Sequence, residues 1–146
     1  MDNITYRFAK SHDLTAIRAL LTDCRLPTDG IEMFIGNCIV AMNESKVVGA
    51  VALEPCGRSA LFRSLAVAPD CRGQSVGRGL FAKIVSHAHR LGIESLYLLT
   101  TDAEQYFAPL GFRRVERSEP PGRIQETSQF RSVCPKSAVC MRRDIR

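Results

Sequence analysis

The sequence predicts one α/β domain over residues 1–146, built around a mixed sheet, and three observations support this prediction. Short apolar runs typical of strands are interleaved with two stretches in which apolar residues recur with the helical period. No linker-like stretch divides the chain. With 146 residues, of which 45% are hydrophobic and 24% charged, the chain is long enough for one proper core.

The N-terminal half predicts a strand, a helix and then three strands. The alternating run ITYRFA forms the first strand. The helix that follows is capped by Ser11 and buries a stripe of Leu14, Ile17, Leu20 and Leu21. The runs CIVAM and KVVGAVALE, joined by the turn NES, predict a hairpin that Pro55 and Gly57 end. The next run, ALFRSLAV, is close enough to pair with the hairpin in an antiparallel meander.

The C-terminal half begins with the best-defined helix, directly after three glycines. This helix ends at a Gly92 cap, and its apolar face consists of Val76, Leu80, Phe81, Ile84, Val85, Ala88 and Leu91. His87 and His89 fall off this face, and we interpret both, like His12, as solvated surface residues. The run ESLYLLT predicts a central strand. A short helix DAEQYFAPL, a strand from Phe112 to Val115, a polar stretch and a last strand SAVCMRR follow.

Composition and charge narrow the classes of function. The net charge of +5 suits an anionic ligand, but the basic residues are dispersed and form no recognition-helix pattern, so we expect no nucleic-acid partner. No window approaches the roughly 18 apolar residues of a membrane helix. Because the start MDNITYRFAK also lacks a signal-like pattern, we expect no membrane partner and a cytoplasmic location. The six cysteines form no CxxC pair, which predicts reduced, mostly buried thiols and no metal site.

Residues 67–80, VAPDCRGQSVGRGL, lead from a strand through a glycine-rich loop into a helix. Such a junction directs unpaired backbone N–H groups and the positive end of the helix dipole at one point. Gly73 and Gly77 permit close approach of a ligand, and Arg72 and Arg78 add positive charge. The loop matches neither a nucleotide P-loop nor G-x-G-x-x-G. Taken alone, it is open to two interpretations, a phosphate cradle or a tight turn.

The residues on either side of the loop carry a resemblance to a known family. The series LAV, Pro69 and RGQSVG, the apolar strand 94–100 and the piece AEQYFAPLGF resemble, at matching separations, the GNAT superfamily of N-acetyltransferases. That family's pyrophosphate loop has the form R/Q-x-x-G-x-G/A, and Arg72–Gly77 resembles it with Ser75 in place of a glycine. The resemblance covers nearly the whole chain. It implies an α+β version of the predicted class, with a mostly antiparallel sheet of about seven strands, helices on both faces and a splay between strands 4 and 5.

The resemblance implies acetyl-CoA as cosubstrate, lying in a V-shaped opening between the strands that end at Val67 and Thr100. Backbone groups of Leu65 and Val67 would pair with the pantetheine arm, and an N–H near Leu65 would stabilise the oxyanion. Ser75 would supply its backbone N–H, provided that its φ is negative. The implied cofactor-binding residues are Leu65, Ala66, Val67, Arg72, Gly73, Gln74, Ser75, Val76, Gly77, Arg78 and Phe107.

The implied chemistry is direct attack of a neutral amine on the thioester, which needs a base and an acid. The family often has a tyrosine as proton donor, but the corresponding residue here is Phe107, with Tyr106 one position earlier. Either Tyr106 turns inward, or no side-chain acid is used. Glu54, at the end of KVVGAVALE, is the first choice for the base, and a solvated strand-end glutamate is the alternative.

The C-terminal half narrows the resemblance to particular acceptors. The phrases LFRSLAV, LYLLTTDAEQYFAPLGF and SQFRSVCPKSAVCM resemble arsenic-resistance N-acetyltransferases that act on arsinothricin and phosphinothricin, and more distantly enzymes of the N-acetylglutamate synthase kind. Both imply a small acidic amino acid as acceptor. Arg63 would bind its acidic group, or instead reach water or meet Glu54. Ser64 is a further predicted contact of the acceptor; in a regular strand it points to the face opposite Arg63, although a bulge would change that.

The segment IQETSQFRSVCP is placed over the acceptor by the same resemblance, with Thr127 and Ser128 as substrate contacts. The alternative is a surface loop anchored by Phe130 and Cys134. The early loop CRLPTDG is a second candidate wall of the acceptor site, through Arg25 and Asp29.

Three alternatives to the leading function stay open at this point. The first is an N-acetylglutamate-synthase-like enzyme, the second an enzyme that acetylates proteins or peptides, and the third a coenzyme-A-binding module without catalysis. The expected partner is a small-molecule amine. Members of the superfamily are often dimers, so a homodimer is a further expectation.

Overall fold

A computed structural model of the chain describes residues 3–73, 75–133 and 135–145. Its strands are β1 (Ile4–Phe8), β2 (Cys38–Asn43), β3 (Lys46–Cys56), β4 (Ser59–Val67), β5 (Ser95–Thr100), β6 (Arg113–Val115) and β7 (Val139–Asp144). They form one mixed sheet in the order β1-β2-β3-β4-β5-β7-β6. Seven strands and the alternation with helices confirm the predicted fold class.

The helices of the described residues are α1 (Leu14–Asp23), α2 (Val76–Arg90), α3 (Glu104–Phe107) and α4 (Gly122–Gln125). Short 3₁₀ turns precede or follow several of them, at Ser11–Asp13, Ile31–Asn37, Pro69–Cys71 and Ala108–Leu110. The polar stretch expected before the last strand contains α4 and a π-helical turn, Gln129–Val133. None of the described helices is both long and apolar enough to cross a membrane.

The chain groups into two compact units, and the first comprises Met1–Glu54 and Arg63–His87. In this unit β1 pairs antiparallel with β2, and β2 pairs antiparallel with β3 across the predicted hairpin. Gly49 lets α2 pack closely on the sheet, because a methyl group there would lie 2.9 Å from Leu80. The buried core of the unit includes Ile17, Leu21, Ile31, Val40, Leu53, Leu80 and Ile84.

The second unit comprises Pro55–Phe62 and Ala88–Arg146. The parallel ladder between β4 and β5 covers only residues 59–61 and 95–97, which agrees with the splay expected between strands 4 and 5. β7 pairs antiparallel with β5 and with β6. The core of this unit is a cluster of Leu61, Tyr97, Ile124, Phe130 and Cys140.

The predicted Gly92 cap of α2 is confirmed. Gly92 has a φ of 79°, its N–H bonds to the His89 carbonyl at 3.0 Å, and the N–H of Ile93 bonds to the Ala88 carbonyl at 2.9 Å. This pair of bonds is a Schellman motif, in which glycine tolerates the left-handed conformation. Leu91 was predicted on the apolar face but is 45% exposed, because the helix has already ended at Arg90.

Two sequence predictions are wrong: the Ser11 cap of α1 and the solvated position of His87 on α2. Ser11 does not cap α1; instead Asp13 precedes the helix, and its carboxylate accepts a hydrogen bond of 2.7 Å from the Lys10 N–H. Ser11 cannot cap α1 because it begins the 3₁₀ turn Ser11–Asp13 that runs into the helix. The Asp13 carboxylate makes no capping bond to α1 and accepts two further bonds from Arg7, at 2.8 and 3.0 Å. His87 is half-buried, not solvated, since its Nε2 lies 2.9 Å from the Asn37 amide oxygen.

Candidate functional site

The glycine loop joins β4 to α2 within the first unit. After Val67 the chain makes a 3₁₀ turn, Pro69–Cys71, and α2 begins at Val76. The Ser75 carbonyl accepts the N–H of Gly79 at 3.0 Å, so Ser75 stands directly before the first turn of the helix. The N–H groups of a first helical turn have no partners within the helix, and together with the dipole they attract an anion. Gln74, predicted to contribute an amide, lies outside the described residues.

Two residues of this loop adopt the left-handed conformation. Gly73 has a φ of 81°, and Ser75 has a φ of 64°. The condition set for Ser75, a negative φ, is therefore not met: the serine adopts a left-handed backbone that glycine tolerates more easily. This φ is strained for a residue with a Cβ.

Arg72 folds back along the end of β4. Its Nε donates to the Val67 carbonyl at 3.2 Å, and its Nη2 lies 3.4 Å from the Cys24 sulfur. The Cys24 thiol in turn lies 3.6 Å from the same carbonyl. Arg72 is exposed, so its guanidinium stands at the surface beside the loop. Leu65 and Val67 are half-buried and Ala66 is buried.

β4 is irregular at Ser64, which has a φ of 63°. A residue with this φ breaks the alternation of side chains along a strand. In a regular strand Ser64 would face away from Arg63, but its hydroxyl lies 3.3 Å from the Arg63 Nε. The irregular strand that the sequence left as an alternative is therefore the one observed.

Arg63 is a buried cation with several protein partners. Its side chain is 0% exposed, and its Nη1 lies 3.3 Å from the Glu54 carboxylate. Nη2 donates to the Asp29 carbonyl at 2.9 Å, and the Phe34 ring covers the guanidinium at 5.0 Å. Of the alternatives predicted for Arg63, this geometry matches the ion pair with Glu54. The bond to the Asp29 carbonyl also connects the early loop to β4.

Glu54 lies at the end of the first unit's part of β3 and is 15% exposed. Burial raises the pKa of its carboxyl, while the Arg63 charge and the hydrogen bond from Arg63 act in the opposite direction. The net effect is a pKa above the ordinary value. A carboxylate of raised pKa that still reaches solvent is a stronger base than an ordinary glutamate and is suited to accept a proton.

The remaining predicted site residues belong to the second unit. Tyr106 is 45% exposed, whereas Phe107 is 9% exposed. The Phe107 ring packs edge to face with Phe62, Phe112 and Tyr106, with ring centroids 5.8, 5.6 and 5.2 Å apart. Phe107 thus fills an aromatic cluster, as the packing interpretation of this residue requires.

Thr127 and Ser128 differ sharply in exposure. Thr127 is 5% exposed and its hydroxyl donates to the Ile124 carbonyl at 2.6 Å, so this side chain closes its own turn. Ser128 is exposed. Phe130 is buried in the core cluster, which agrees with the anchoring role expected for it, and Cys134 lies outside the described residues.

The structure brings together Glu54, Arg63 and Ser64 and adds two residues to them, Phe34 and the backbone of Asp29. Cys24 instead contacts Arg72 beside the glycine loop. Cys24 and Asp29 both lie in the early loop CRLPTDG, which was a candidate wall, whereas Phe34 had no signal. Aromatic stacking and thiol contacts over 29 to 48 positions leave no local pattern. Within the described ranges, no cluster of three or more histidine, cysteine or acidic side chains is placed to hold a metal ion.

Curated relatives share part of this chain. An amino-acid acetyltransferase of Mannheimia succiniciproducens is 33% identical over 93 residues, covering 62% of this chain and 21% of the relative. One from Neisseria meningitidis serogroup A is 28% identical over 154 residues, covering 96% and 34%. The chain therefore spans about a third or less of the length of these relatives.

Solved structures share the fold. The N-acetylglutamate synthase of Neisseria gonorrhoeae, complexed with coenzyme A and N-acetyl-glutamate, superposes with a TM-score of 0.84 at 23% identity, over 100% of this chain and 36% of that one. A Mycobacterium tuberculosis protein in complex with CoA gives 0.81 at 19% identity, over 96% and 98%. The model of the acetyltransferase (GNAT) domain matches residues 35–114, which is more than half of the chain and includes the glycine loop, Glu54 and Arg63. The chain accordingly belongs to the GNAT family of acetyltransferases.

Proposed function

We propose that this chain transfers the acetyl group of acetyl-CoA to the amine of a small acidic amino acid. The observation that carries the proposal is the loop between β4 and α2, where Gly73 and Ser75 adopt the left-handed backbone directly before a helix. Membership of the acetyltransferase (GNAT) family supports the reaction, and complexes of two structural neighbours with coenzyme A support the cosubstrate.

The cofactor would lie along the end of β4 and over the loop. The N–H groups of Ser75, Val76, Gly77 and Arg78 would hold the pyrophosphate, and Gly73 leaves room for it because, apart from its chain neighbours, no heavy atom of the described chain lies within 4 Å of where its Cβ would be. Backbone groups of Leu65 to Val67 would pair with the pantetheine arm. Arg72 contacts the Val67 carbonyl in the structure, so its guanidinium would turn from that carbonyl towards phosphate.

Glu54 would take the proton of the attacking amine. The amine nitrogen forms a bond to the thioester carbon, the C–S bond breaks, and coenzyme A leaves as a thiolate that is then protonated. The raised pKa of the Glu54 carboxyl favours this role, since a base works best with a pKa near the working pH. In the second unit, exposed Tyr106 stays the proposal for an acid, and exposed Ser128 for an acceptor contact; variants Tyr106→Phe and Ser128→Ala test them separately.

The acceptor class rests on the relatives. Amino-acid acetyltransferases among them support an amino acid, and the N-acetyl-glutamate bound to the gonococcal synthase supports an acidic one. Arsinothricin and phosphinothricin share the amino and carboxyl groups of glutamate and carry an anionic second group. Acetylation of these two toxins is the finer form of the proposal.

The experiment is release of free thiol from acetyl-CoA on mixing with a panel of amines: glutamate, arsinothricin, phosphinothricin, a neutral amino acid and a peptide. We expect release with an acidic amino acid and a fall of about 10²-fold or more in kcat for Glu54→Gln. Faster release with the two toxins than with glutamate would support the finer form, and the reverse order would reject it. A panel that gives no release above hydrolysis would overturn the acceptor class.

One observation favours a second candidate, a coenzyme-A-binding module without catalysis. The residue at the position of the family's usual proton donor is Phe107, and its ring is buried among other aromatic rings. Calorimetry that finds tight acetyl-CoA binding in a protein inactive on the whole panel would favour this function over the enzyme.

A further inference from the structure

Arg63 connects three parts of the first unit. Its guanidinium contacts the Glu54 carboxylate on β3 at 3.3 Å, the Asp29 carbonyl in the early loop at 2.9 Å and the Ser64 hydroxyl on β4 at 3.3 Å. The Phe34 ring covers one face at 5.0 Å. A fully buried guanidinium is tolerated only when partners of this kind surround it.

We infer that Arg63 is a positioning residue, which holds the Glu54 carboxylate in place and in its ionised form, and that it is not the ligand of the acceptor's acidic group. The inference rests on the proposed function, in which Glu54 is the base. An acceptor carboxylate would have to reach a guanidinium whose side chain is 0% exposed and that already donates to the Glu54, Asp29 and Ser64 oxygens, so it would compete with these contacts or displace them. Such displacement would leave a buried oxygen without its donor, which is costly.

Arg63 both contacts the Glu54 carboxylate and favours its ionised form, so one residue controls its position and its charge. Burial raises the pKa of Glu54, and Arg63 is the charged side chain that opposes this increase. The field of Arg63 also acts on the Cys38 thiol, on which the Asp13 carboxylate acts with the opposite sign; burial keeps the pKa of that thiol at about 12, so it stays protonated. Replacing Arg63 by an apolar residue would therefore remove a charge that keeps Glu54 ready to accept a proton.

The test compares Arg63→Met, Arg63→Lys and the control Arg58→Met in the pH dependence of kcat/KM. Arg58 is 85% exposed and pairs with Glu94 at 3.9 Å, so its removal also takes an arginine from a glutamate, but outside the site. With Arg63→Met we expect the acid limb of the profile, where kcat/KM falls as Glu54 is protonated, to move up by about one pH unit, so that kcat/KM on that limb falls about tenfold. Arg63→Lys keeps the charge, so the acid limb of its pH profile should lie near that of the native protein. Arg58→Met should leave the position of the acid limb unchanged.

The KM values separate positioning from acceptor binding. Positioning predicts that Arg63→Met leaves the ratio of KM for an acidic acceptor to KM for a neutral one unchanged. A selective rise of KM for acidic acceptors, with the acid limb unmoved, would overturn the inference and make Arg63 a ligand. Circular dichroism of each variant identifies any that fails to fold.

A second measurement works without turnover. The ¹³C resonance of the Glu54 side-chain carboxyl, followed through a pH titration, should show its midpoint moving up by about one unit in Arg63→Met relative to the native protein. If the midpoint moves and no amine is acetylated, the coupling stands and the proposed function fails. If acetylation is normal and the midpoint is unchanged, the inference fails.

Discussion

Two serines, Ser64 and Ser75, occupy backbone conformations that glycine usually takes, with φ of 63° and 64°. Each lies at a position where the site needs a particular backbone direction: Ser64 next to Arg63, and Ser75 at the start of α2. A left-handed φ costs a residue with a Cβ about 1–2 kcal/mol. The fold must supply that energy elsewhere, which is typical of strained residues at functional positions.

Ser75→Gly should stabilise the protein by about 1 kcal/mol. Glycine relieves the strained φ, and the larger chain entropy of the unfolded glycine removes part of the gain. Ser75→Ala, which keeps the Cβ, is the matched control and should show no such gain. Urea unfolding of the three proteins measures the difference. Equal stabilities of the glycine and alanine variants would contradict the strain at this residue.

The contact between α2 and Tyr6 of β1 depends on Gly79, a glycine that the family's loop pattern does not include. A methyl group at Gly79 would overlap the hydroxyl group and ring of Tyr6 on β1. The Tyr6 side chain therefore lies directly against the backbone of the first turn of α2. Since that turn provides the amides proposed to bind pyrophosphate, the contact fixes where those amides stand.

Gly79→Ala should destabilise the protein by about 1–3 kcal/mol through overpacking, although alanine favours a helix more than glycine does. It should also weaken coenzyme A binding. Adding Tyr6→Leu makes room for the methyl group, so the double variant should regain part of both losses. Gly122→Ala is the control, as no atom of the described chain lies within 4 Å of a Cβ there. Urea unfolding measures the stability of each variant, and calorimetry measures its affinity for coenzyme A. If the losses of Gly79→Ala and Tyr6→Leu simply add in the double variant, the contact between the two residues is contradicted.

The ion pair between β1 and the start of α1 should make stability depend on acid pH. Asp13 is 4% exposed, and its two bonds from Arg7 help lower the pKa of its carboxyl from 3.8 to about 2. A lowered pKa means that the stabilisation is present above pH 3.8 and is lost as the pH falls towards 2. The loss should be about 2 kcal/mol in the free energy of unfolding.

Urea unfolding between pH 5 and pH 2 checks this, with Arg7→Met compared with the native protein because other carboxyl groups also titrate. The difference between the two proteins should shrink as the pH falls. Arg18→Met breaks the exposed pair with Glu32 and should change stability little at any pH. A constant difference between Arg7→Met and the native protein would contradict the role of Asp13.

The elements were predictable because their patterns are local. The stripe of α1, the hairpin of β2 and β3, and the Gly92 cap depend on neighbours a few positions apart. The Ser11 cap was wrong because a 3₁₀ turn, Ser11–Asp13, precedes α1, and its Asp13 carboxylate is bound by Arg7 on another element. In the site, the loop could be recognised from its glycines. The left-handed Ser75 could not, because serine takes this φ only under constraint, and neither could the Phe34 stack on Arg63, which joins residues far apart in sequence.

The chain was predicted to be one domain, and that implies a single unfolding transition that a bound cofactor shifts. Coenzyme A at 100 times its Kd should add about 2.7 kcal/mol to the free energy of unfolding. For a chain of this size we expect the Tm to rise by about 5–10 °C. Gly77→Leu, which places a side chain in the first turn of α2, should abolish the shift. Differential scanning calorimetry measures both, and an unchanged Tm in the native protein would contradict cofactor binding.

The alkylation rates of two buried cysteines can report how often each compact unit opens. Burial raises the pKa of the Cys38 thiol to about 12 and that of the Cys140 thiol to about 11, so neither presents a thiolate in the closed structure. Cys38 belongs to the first unit and Cys140 to the second. Their rates of alkylation at neutral pH therefore count separate opening events. With the half-buried Cys24 and Cys56 replaced by serine, mass spectrometry of the labelled peptides would show whether both units open at one rate.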